Sequence, residues 1–166
     1  MRVCNLCLKL FLGCIVLIFL FSCETTIYLV RHGERVTTGA NPVLLPAGEA
    51  RAQTLSQLLA DKKINEVLTT DSNRTRQTAQ PTATRFNLPL TIYGKDTIPG
   101  FVASLKNKWG KNILIVSHSE TIPLIVHEFG YNLQSPITGF NRLIIIKRKK
   151  GNPVEMTYEE TTYGNP

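Results

Sequence analysis

Cysteine is absent from most of this sequence. Cys4, Cys7, Cys14 and Cys23 are the four cysteines of the chain, so residues 24–166 contain no thiol for a disulfide or a thiolate metal site. Carboxylates are scarce in one stretch, because Asp96 is the only one between residues 87 and 111. With 43% hydrophobic and 19% charged residues among 166, and with no internal repeat, the chain is expected to form one globular domain.

The first 22 residues have the pattern of an export signal. Arg2 and Lys9 come before an unbroken apolar run from Leu10 to Phe21. At twelve residues, this run is shorter than the roughly 20 that a membrane-spanning helix needs. A cleaved signal is therefore favoured, and an uncleaved signal anchor is the alternative.

The end of this signal predicts a lipid anchor. The letters LFSC at residues 20–23 resemble the bacterial lipobox, in which the cysteine is acylated and becomes the new N-terminus. We therefore expect a lipoprotein-type signal peptide over residues 1–22, a single domain over residues 23–166, and membrane lipid bound through acylated Cys23. Both this interpretation and the signal anchor place the domain outside the cytoplasm, in the bacterial cell envelope.

The charge balance is moderately basic. The formal net charge of the chain is +7, and removing Arg2 and Lys9 leaves +5 on the domain. Such a balance suits anionic substrates or anionic lipid head groups. The basic run KRKK at residues 147–150 is expected to be the solvated end of a hairpin. Because it lacks interleaved aromatic residues, no nucleic acid is expected as a partner. Beside an acylated Cys23, this run could contact lipid head groups.

Short β-type runs alternate with helical stretches from residue 25 onward. Apolar strands are predicted at 25–30, 66–70, 88–93 and 113–116, and a hairpin of two strands is predicted at 142–147 and 154–158. This alternation predicts an α/β fold. We expect a three-layer α/β/α sandwich with a mostly parallel sheet and an antiparallel C-terminal hairpin.

Helices are predicted at four places between these strands, over residues 46–60, 74–86, 99–108 and 119–130. The first should bury one apolar face, formed by Ala52, Leu55, Leu58 and Leu59. Pro81 should bend the second helix or end it early. Ser119 should cap the fourth helix, and Gly130 should stop it.

Cationic side chains follow three of the predicted strands. Arg31 and His32 come directly after the first strand, Arg74 follows the second, and His118 follows the strand at 113–116. In an open parallel sheet, ligands bind at the carboxyl ends of the strands, so these four side chains should converge on one crevice. Arginine binds phosphate oxygens in a bidentate manner, and an imidazole can attack phosphorus to form a phosphohistidine. The pattern predicts a site for phosphoryl transfer.

Four sequence blocks in this order resemble the histidine phosphatase superfamily, also called the phosphoglycerate mutase-like family. They read LVRHGE, LLPAGEARAQTLSQLL, VLTTDSNRTRQTA and ILIVSHSETIP, and the resemblance extends from about residue 25 to residue 133. It implies that His32 is the nucleophile and that Arg31, Arg74 and His118 bind the transferred phosphoryl group. It also implies a reaction without a metal or other cofactor.

The same resemblance implies supporting roles for nearby residues. Gly33 would allow the turn that aims the nucleophile into the pocket, and Gly48 with Glu49 would pack the first helix. Ser119 stands after the second histidine, where many members have glycine, and it would add to the substrate-binding residues. His127 is expected to be structural or exposed.

The proton donor for the leaving group departs from the family pattern. Many family phosphatases carry a glutamate before the strand that leads to the second histidine, and here that interval holds only Asp96. Glu34 beside the nucleophile and Glu120 after His118 are the other candidates. General acid catalysis typically contributes about 10²–10⁴ in rate, so its loss would favour substrates with good leaving groups. The compact phosphohistidine phosphatases, which this short chain resembles, manage without a dedicated acid.

The expected function is therefore that of a membrane-anchored extracytoplasmic phosphatase. Its substrates would be phosphate monoesters or phosphoramidates, cleaved through a covalent phosphohistidine. A catalytically inactive phosphate-binding or scaffold lipoprotein of the same fold is the alternative, and the export signal and short insert disfavour a mutase. Because the first strand leads from Cys23 toward His32, the pocket should face away from the membrane.

Overall fold

The computed structural model describes residues 23–165. The predicted signal peptide and its apolar run lie outside the described residues. Within residues 23–165, none of the helices has both the length and the apolar character needed to cross a membrane.

Strands and α-helices alternate along the described chain. The strands are β1 (Glu24–Arg31), β2 (Glu66–Thr69), β3 (Leu90–Ile92), β4 (Asn112–Ser117), β5 (Arg142–Lys149) and β6 (Glu155–Thr162). The helices are α1 (Pro46–Leu58), α2 (Asn73–Arg85), α3 (Ile98–Lys106) and α4 (Ile122–Glu128), and a 3₁₀ turn at Lys95–Thr97 precedes α3. Each predicted strand and helix has a counterpart in the structure.

The strands form one mixed sheet in the order β3-β2-β4-β1-β5-β6. The pairs β1 with β4, β4 with β2, and β2 with β3 are parallel. Strand β5 pairs antiparallel with β1, and β6 pairs antiparallel with β5. The predicted α/β class, with its parallel centre and antiparallel C-terminal hairpin, is confirmed.

Helices cover both faces of the sheet. One core packs α3 and α4 against a face that carries Ile27 and Ile113. The other core packs α1 and α2 against the opposite face, which carries Val30 and Leu114. Alternate residues of β1 and β4 serve the two cores because successive strand side chains point to opposite faces. The expected three-layer sandwich is therefore present.

The predicted burial of Leu58 on α1 and the predicted early end of α2 are not found. Leu58 is 43% exposed rather than buried. The hydroxyl of Ser56 donates to the carbonyl of Pro81 at 3.2 Å, which turns the Ser56 side of α1 toward α2 and leaves Leu58 outside. Helix α2 continues past Pro81 to Arg85, so the predicted early end is absent, whereas the alternative of a bend stays a prediction. Thr82 and Ala83, which follow the proline, are buried in this part of the helix.

The predicted cap of α4 was also wrong, whereas its predicted stop was right. The helix begins at Ile122, and the Oγ1 of Thr121 accepts the N–H of His118 at 3.1 Å. Ser119 therefore lies in the turn before the helix. Gly130 ends the helix with φ at +87°, a left-handed conformation that glycine adopts without strain.

The basic run at residues 147–150 is not solvated throughout. Lys147, Lys149 and Lys150 are exposed, but Arg148 is only 4% exposed. Strand β5 alternates, so Arg148 shares the inner face with Ile144 and Ile146. Its guanidinium donates to the last carbonyls of α3, which corrects the prediction that the whole run would be a solvated hairpin end.

Candidate active site

The first histidine directly follows β1, and the sheet fixes its backbone. The N–H of His32 donates to the carbonyl of Ser117 on β4 at 3.0 Å. Its Nδ1 lies 2.7 Å from the carbonyl oxygen of Gly33. Because a carbonyl oxygen can only accept, Nδ1 carries the proton and Nε2 keeps a free lone pair. The ring is 3% exposed and is therefore held in one tautomer and one orientation.

The electrostatic surroundings keep this imidazole neutral. Burial is the main cause that lowers the pKa of His32 from 6.5 to about 4, and the charges of Arg31 and Arg74 lower it further. The hydrogen bond to the Gly33 carbonyl acts in the opposite direction but is outweighed. At neutral pH, Nε2 is therefore unprotonated and chemically able to act as a nucleophile.

Two glycines allow the loop after His32 to lie against α1. A β-carbon on Gly33 would approach the backbone of Gly48 to 2.9 Å, and one on Gly48 would approach the carbonyl oxygen of Glu34 to 2.2 Å. Gly33 is thus needed for close backbone packing. Its φ is not positive, so glycine is needed here for space rather than for a left-handed conformation. Gly48 packs as predicted, whereas Glu49 is exposed and makes no such contact.

The second histidine lies beside the first, and a hydrogen-bond chain fixes its tautomer. The ring centroids of His32 and His118 are 5.5 Å apart. The guanidinium of Arg74 donates to Nδ1 of His118 at 3.3 Å, so Nε2 carries the proton and donates to Oγ1 of Thr70 at 2.8 Å. Thr70 in turn contacts the Oγ1 of Thr75 at 3.0 Å. This buried chain anchors both His118 and Arg74.

His118 is neutral in this arrangement rather than cationic. Burial first, and then the charge of Arg74, lower its pKa from 6.5 to about 4, while Glu120 acts in the opposite direction. Its contact with Arg74 aims the guanidinium at the centre of the site. A phosphoryl dianion bound there would raise the pKa of His118 and favour a protonated donor.

Arg31 is held from the other side by the loop between α4 and β5. Its Nη1 donates to the carbonyl of Thr138 at 3.1 Å, and its guanidinium carbon lies 4.3 Å from the centroid of the Phe140 ring. The same ring is 5.9 Å from His32. The Nε atoms of Arg31 and Arg74 are both buried without a hydrogen-bond partner among the described residues. A buried guanidinium N–H without a partner is costly, and an anion between the two arginines would satisfy both.

A cavity of about 520 Å³ opens beside Arg74 and His118. Its other lining residues come mainly from the loops after β2 and β3, and they include Asn41, Thr70, Ser72, Tyr93, Lys95 and Asp96. The cavity therefore lies where a leaving group attached to the phosphoryl group could extend. Arg76 turns away and pairs with Asp71 at 2.8 Å.

The three candidate proton donors lie in different surroundings. Glu34 accepts a bidentate fork from Arg51, with distances of 2.6 to 3.0 Å, and this hydrogen bonding lowers its pKa. Arg51 also donates to the carbonyl of Asn165 at 2.9 Å, so the pair ties the loop after His32 to the end of the described chain. Glu34 is thus an ionised structural group in this arrangement.

Glu120 and Asp96 have no such arginine partner among the described residues. Burial tends to raise the pKa of Glu120, but its backbone hydrogen bond and its interactions with His118 and Arg74 outweigh burial and lower the pKa. Ser119 donates to Glu120 at 3.3 Å and lies next to the site. Asp96 shares the lining of the cavity with Arg74 and His118, which makes it the candidate placed to meet a leaving group.

Sequence reasoning missed several residues of the site. Thr70 ends the run VLTT, and a hydroxyl directly after β2 could have suggested a partner for the second histidine. Tyr93, whose hydroxyl donates to the Oγ of Ser117 at 2.8 Å, lay unnoticed at the end of the predicted third strand. Phe140 had no local signal, because its contact with Arg31 joins residues more than 100 positions apart. His127 is exposed on α4, in agreement with the prediction.

Comparison with known proteins agrees with this geometry. The family model "histidine phosphatase superfamily (branch 1)" matches residues 27–95, which include His32 and Arg74. No curated protein sequence matches the chain.

Solved structures share the fold at low identity. The protein histidine phosphatase SixA complexed with tungstate has a TM-score of 0.63 and 19% identity over 82% of this chain and 96% of its own. A protein assigned as the phosphohistidine phosphatase SixA from Agrobacterium tumefaciens has a TM-score of 0.57 and 18% identity, and the match covers 85% of this chain and 98% of its own. A protein assigned as an α-ribazole-5′-P phosphatase from Escherichia coli has a TM-score of 0.61 and 15% identity, and the match covers 85% of this chain and 96% of its own. The predicted resemblance to the histidine phosphatase superfamily is thus supported by the family model, and these structures show that compact phosphatases share the fold.

Within residues 23–165, no group of three histidine, cysteine, aspartate or glutamate side chains is placed to hold a metal ion. The site described here consists of two neutral imidazoles, two guanidinium groups and hydroxyls. Such a set can bind a phosphoryl group and present an unprotonated nitrogen to it.

Proposed function

We propose that this chain belongs to the histidine phosphatase superfamily and is a membrane-anchored, extracytoplasmic phosphatase that acts through a phosphohistidine on His32. The observation that carries the proposal is the fixed tautomer of His32. Its Nδ1 proton is bound to the Gly33 carbonyl at 2.7 Å, which leaves Nε2 free, next to two arginines whose buried Nε atoms have no partner among the described residues.

In the first step, Nε2 of His32 attacks phosphorus, and an N–P bond forms as the bond to the leaving group breaks. Arg31 and Arg74 bind the equatorial oxygens, where the charge of the transition state lies. The hydrogen bond from Nδ1 to the Gly33 carbonyl stabilises the positive charge that develops on the imidazole. The leaving oxygen or nitrogen takes up one proton.

In the second step, water attacks the phosphohistidine, the N–P bond breaks, and inorganic phosphate and neutral His32 are regenerated. Arg74 keeps its orientation through His118 and the hydroxyl of Thr70. Both steps therefore use the same cationic cradle.

Asp96 is the group that we infer delivers the proton to an alkoxide leaving group. It lines the cavity that adjoins Arg74 and His118, whereas Glu34 is held in the fork of Arg51. An imidazole or aryl oxide departs more readily and depends less on such a donor. Phosphoramidates and phosphate monoesters with stable leaving groups are thus the favoured substrates.

The position of Cys23 supports the membrane anchor. Cys23 is exposed and immediately precedes β1, whose eight residues separate it from His32. At about 3.3 Å per residue, β1 spans about 26 Å. A lipid on Cys23 would therefore leave the pocket facing away from the bilayer, toward soluble or protruding substrates.

The test is hydrolysis of an aryl phosphate by the full-length protein in detergent, with chelator present. We expect turnover that His32→Ala abolishes, while His127→Ala, which removes an exposed histidine on α4, leaves it unchanged. Activity that survives His32→Ala, or activity that requires added metal, would contradict the proposal.

A phosphate-binding lipoprotein without turnover is the second candidate. The ionised state of Glu34 and the lowered pKa of Glu120 favour it, because both groups make poor acids. Brief incubation with a ³²P-labelled phosphodonor separates the two. Acid-labile, base-stable label that His32→Ala removes indicates the enzyme, whereas reversible phosphate binding without label indicates the binding protein.

A further inference from the structure

Cys23 lies at the end of the sheet opposite the site, and two turns hold it there. Its carbonyl accepts the N–H of Lys150, in the β5–β6 turn, at 3.2 Å. Its Sγ lies 3.3 Å from the position that a β-carbon on Gly110 would take, so the sulfur rests against the turn between α3 and β4. The surface around Cys23 is therefore part of the folded domain.

The turn beside Cys23 carries the one tryptophan of the chain. Trp109 is half-buried, and the guanidinium carbon of Arg148 lies 4.4 Å from its ring centroid. Arg148 is itself fixed, because it donates to the carbonyls of Leu105 and Lys106 at 3.2 and 2.8 Å. The indole is thus held in place next to Cys23. Tryptophan is enriched at membrane–water interfaces, where its ring suits the head-group level.

Lysines flank the same point. Lys111 follows Gly110, and Lys150 is bonded to Cys23 through its backbone; both side chains are exposed. Neither ammonium group forms an ion pair with a carboxylate of residues 23–165, whereas Lys149 pairs with Glu155 at 3.3 Å. Their charges are therefore free to act on something outside the domain.

We propose that Trp109, Lys111 and Lys150 form a docking surface for an anionic membrane. The inference rests on the proposed membrane anchor at Cys23 and goes beyond it, because it names side chains of the folded domain that contact the lipid head groups. An indole at head-group level and two unpaired lysines beside the attachment point bind a negatively charged lipid surface. Docking lays this end of the domain on the bilayer and directs the His32 site outward.

The single tryptophan supplies the measurement. Full-length protein is reconstituted into vesicles of zwitterionic lipid, with or without phosphatidylglycerol, that carry bromine high on the acyl chains. We expect Trp109 fluorescence to be quenched and shifted to shorter wavelength in the anionic vesicles. The variant Lys111→Gln with Lys150→Gln should lower the ratio of docked to undocked protein about 30-fold. Trp109→Phe should remove the signal.

A matched variant tests whether position or total charge matters. Arg76→Gln removes one charge from the opposite end of the sheet, outside the proposed binding residues, and should leave the quenching unchanged, whereas Lys150→Gln alone should lower it. Three results would overturn the inference: unquenched Trp109 in anionic vesicles, equal loss in both single variants, or salt-dependent nucleic-acid binding by the same lysines without quenching. Hydrolysis of a soluble aryl phosphate is measured on the same samples. A failure of docking is thereby distinguished from a failure of the proposed phosphatase activity.

Discussion

The two ends of the sheet carry the same sign of charge in different chemical forms. At the carboxyl end of β1, β2 and β4, the cations of the site are Arg31 and Arg74. Each is held by a hydrogen bond to another residue, and each has a buried Nε. At the other end, around Cys23, the cations are exposed lysines such as Lys111 and Lys150. Arginine presents a rigid fork that fits phosphate, whereas lysine is a mobile point charge. The first end suits oriented binding, and the second suits attraction to a charged surface.

Topology reinforces this difference. Because the strands β1 to β4 are parallel and connected through helices, α2 begins at the site and α4 begins a few residues after His118, while both helices end toward the Cys23 side. Helix N-termini carry partial positive charge, and C-termini carry partial negative charge. The site end is therefore further suited to anions. At the opposite end, Lys106 donates to the carbonyl of Glu128, the last residue of α4.

The largest predicted effect comes from exchanging one cation for the other at the site. Arg74→Lys keeps the charge but loses the fork that donates to His118 and, in the proposed mechanism, to the phosphoryl group. Loss of a transition-state donor typically costs about 10²–10³ in kcat, and we expect a loss of that size for an aryl phosphate.

The reciprocal exchange, Lys150→Arg, should change neither hydrolysis nor quenching of Trp109 in anionic vesicles. Steady-state kinetics on both variants provide the check. Full activity in Arg74→Lys would mean that charge alone matters at the site, and the proposed contrast between the two ends would fail.

Much of the fold could be predicted from sequence because its signals are local. The fully buried run Ile113–Val116 needs no distant information to be recognised as a strand. The positions of Arg31, His32, Arg74 and His118 could be predicted for a related reason, since each follows a strand whose end the parallel topology brings to one edge.

What could not be predicted depends on contacts between distant residues. Phe140 stacks on Arg31 across the fold, and Arg51 of α1 binds Glu34 in the loop after His32. Arg148 is a different case. The period-2 alternation of β5 places it inward with Ile146, a pattern that the uniform basic run KRKK concealed.

Acid should destabilise the site end and leave the lysine end unaffected. In the folded state, His32 and His118 each have a pKa of about 4 instead of 6.5. The main cause is burial, and nearby arginine charge lowers the pKa further. Between these pH values, the unfolded state binds more protons than the folded state. The contribution of the two histidines to the free energy of unfolding is therefore complete above pH 6.5. It falls as the pH drops toward 4, by up to roughly 3 kcal/mol for each histidine.

Urea unfolding at several pH values measures this loss. His32→Asn and His118→Asn should each flatten the curve, whereas His127→Asn, on the exposed face of α4, should not. A pH dependence that survives both site substitutions would show that other groups cause it.

Arg148 differs from the lysines around Cys23, since it lies at the same end of the sheet but is buried and bonded to the domain. Arg148→Met removes two hydrogen bonds to the end of α3 and the stack on Trp109. Charged hydrogen bonds of this kind support a loss of about 2 kcal/mol in the free energy of unfolding, measured by urea titration. Arg85→Met is the control. Arg85 is an exposed arginine near the end of α2 with one bond to Ser56, and its loss should cost less.

The smallest expected effect is on stability, and it tests whether Lys111 and Lys150 stabilise the fold or bind a partner. Lys111 and Lys150 are exposed and form no ion pair within residues 23–165. A lysine that stabilises the fold would lower the free energy of unfolding when neutralised, as Arg148 should. We expect Lys111→Gln with Lys150→Gln to change the free energy of unfolding by no more than about 0.5 kcal/mol, the usual range for surface substitutions. Together with a loss of docking on anionic vesicles, that unchanged stability would show that these charges act on a partner rather than on the fold. A drop of 1 kcal/mol or more, about twice the usual surface range, would assign them to the domain itself.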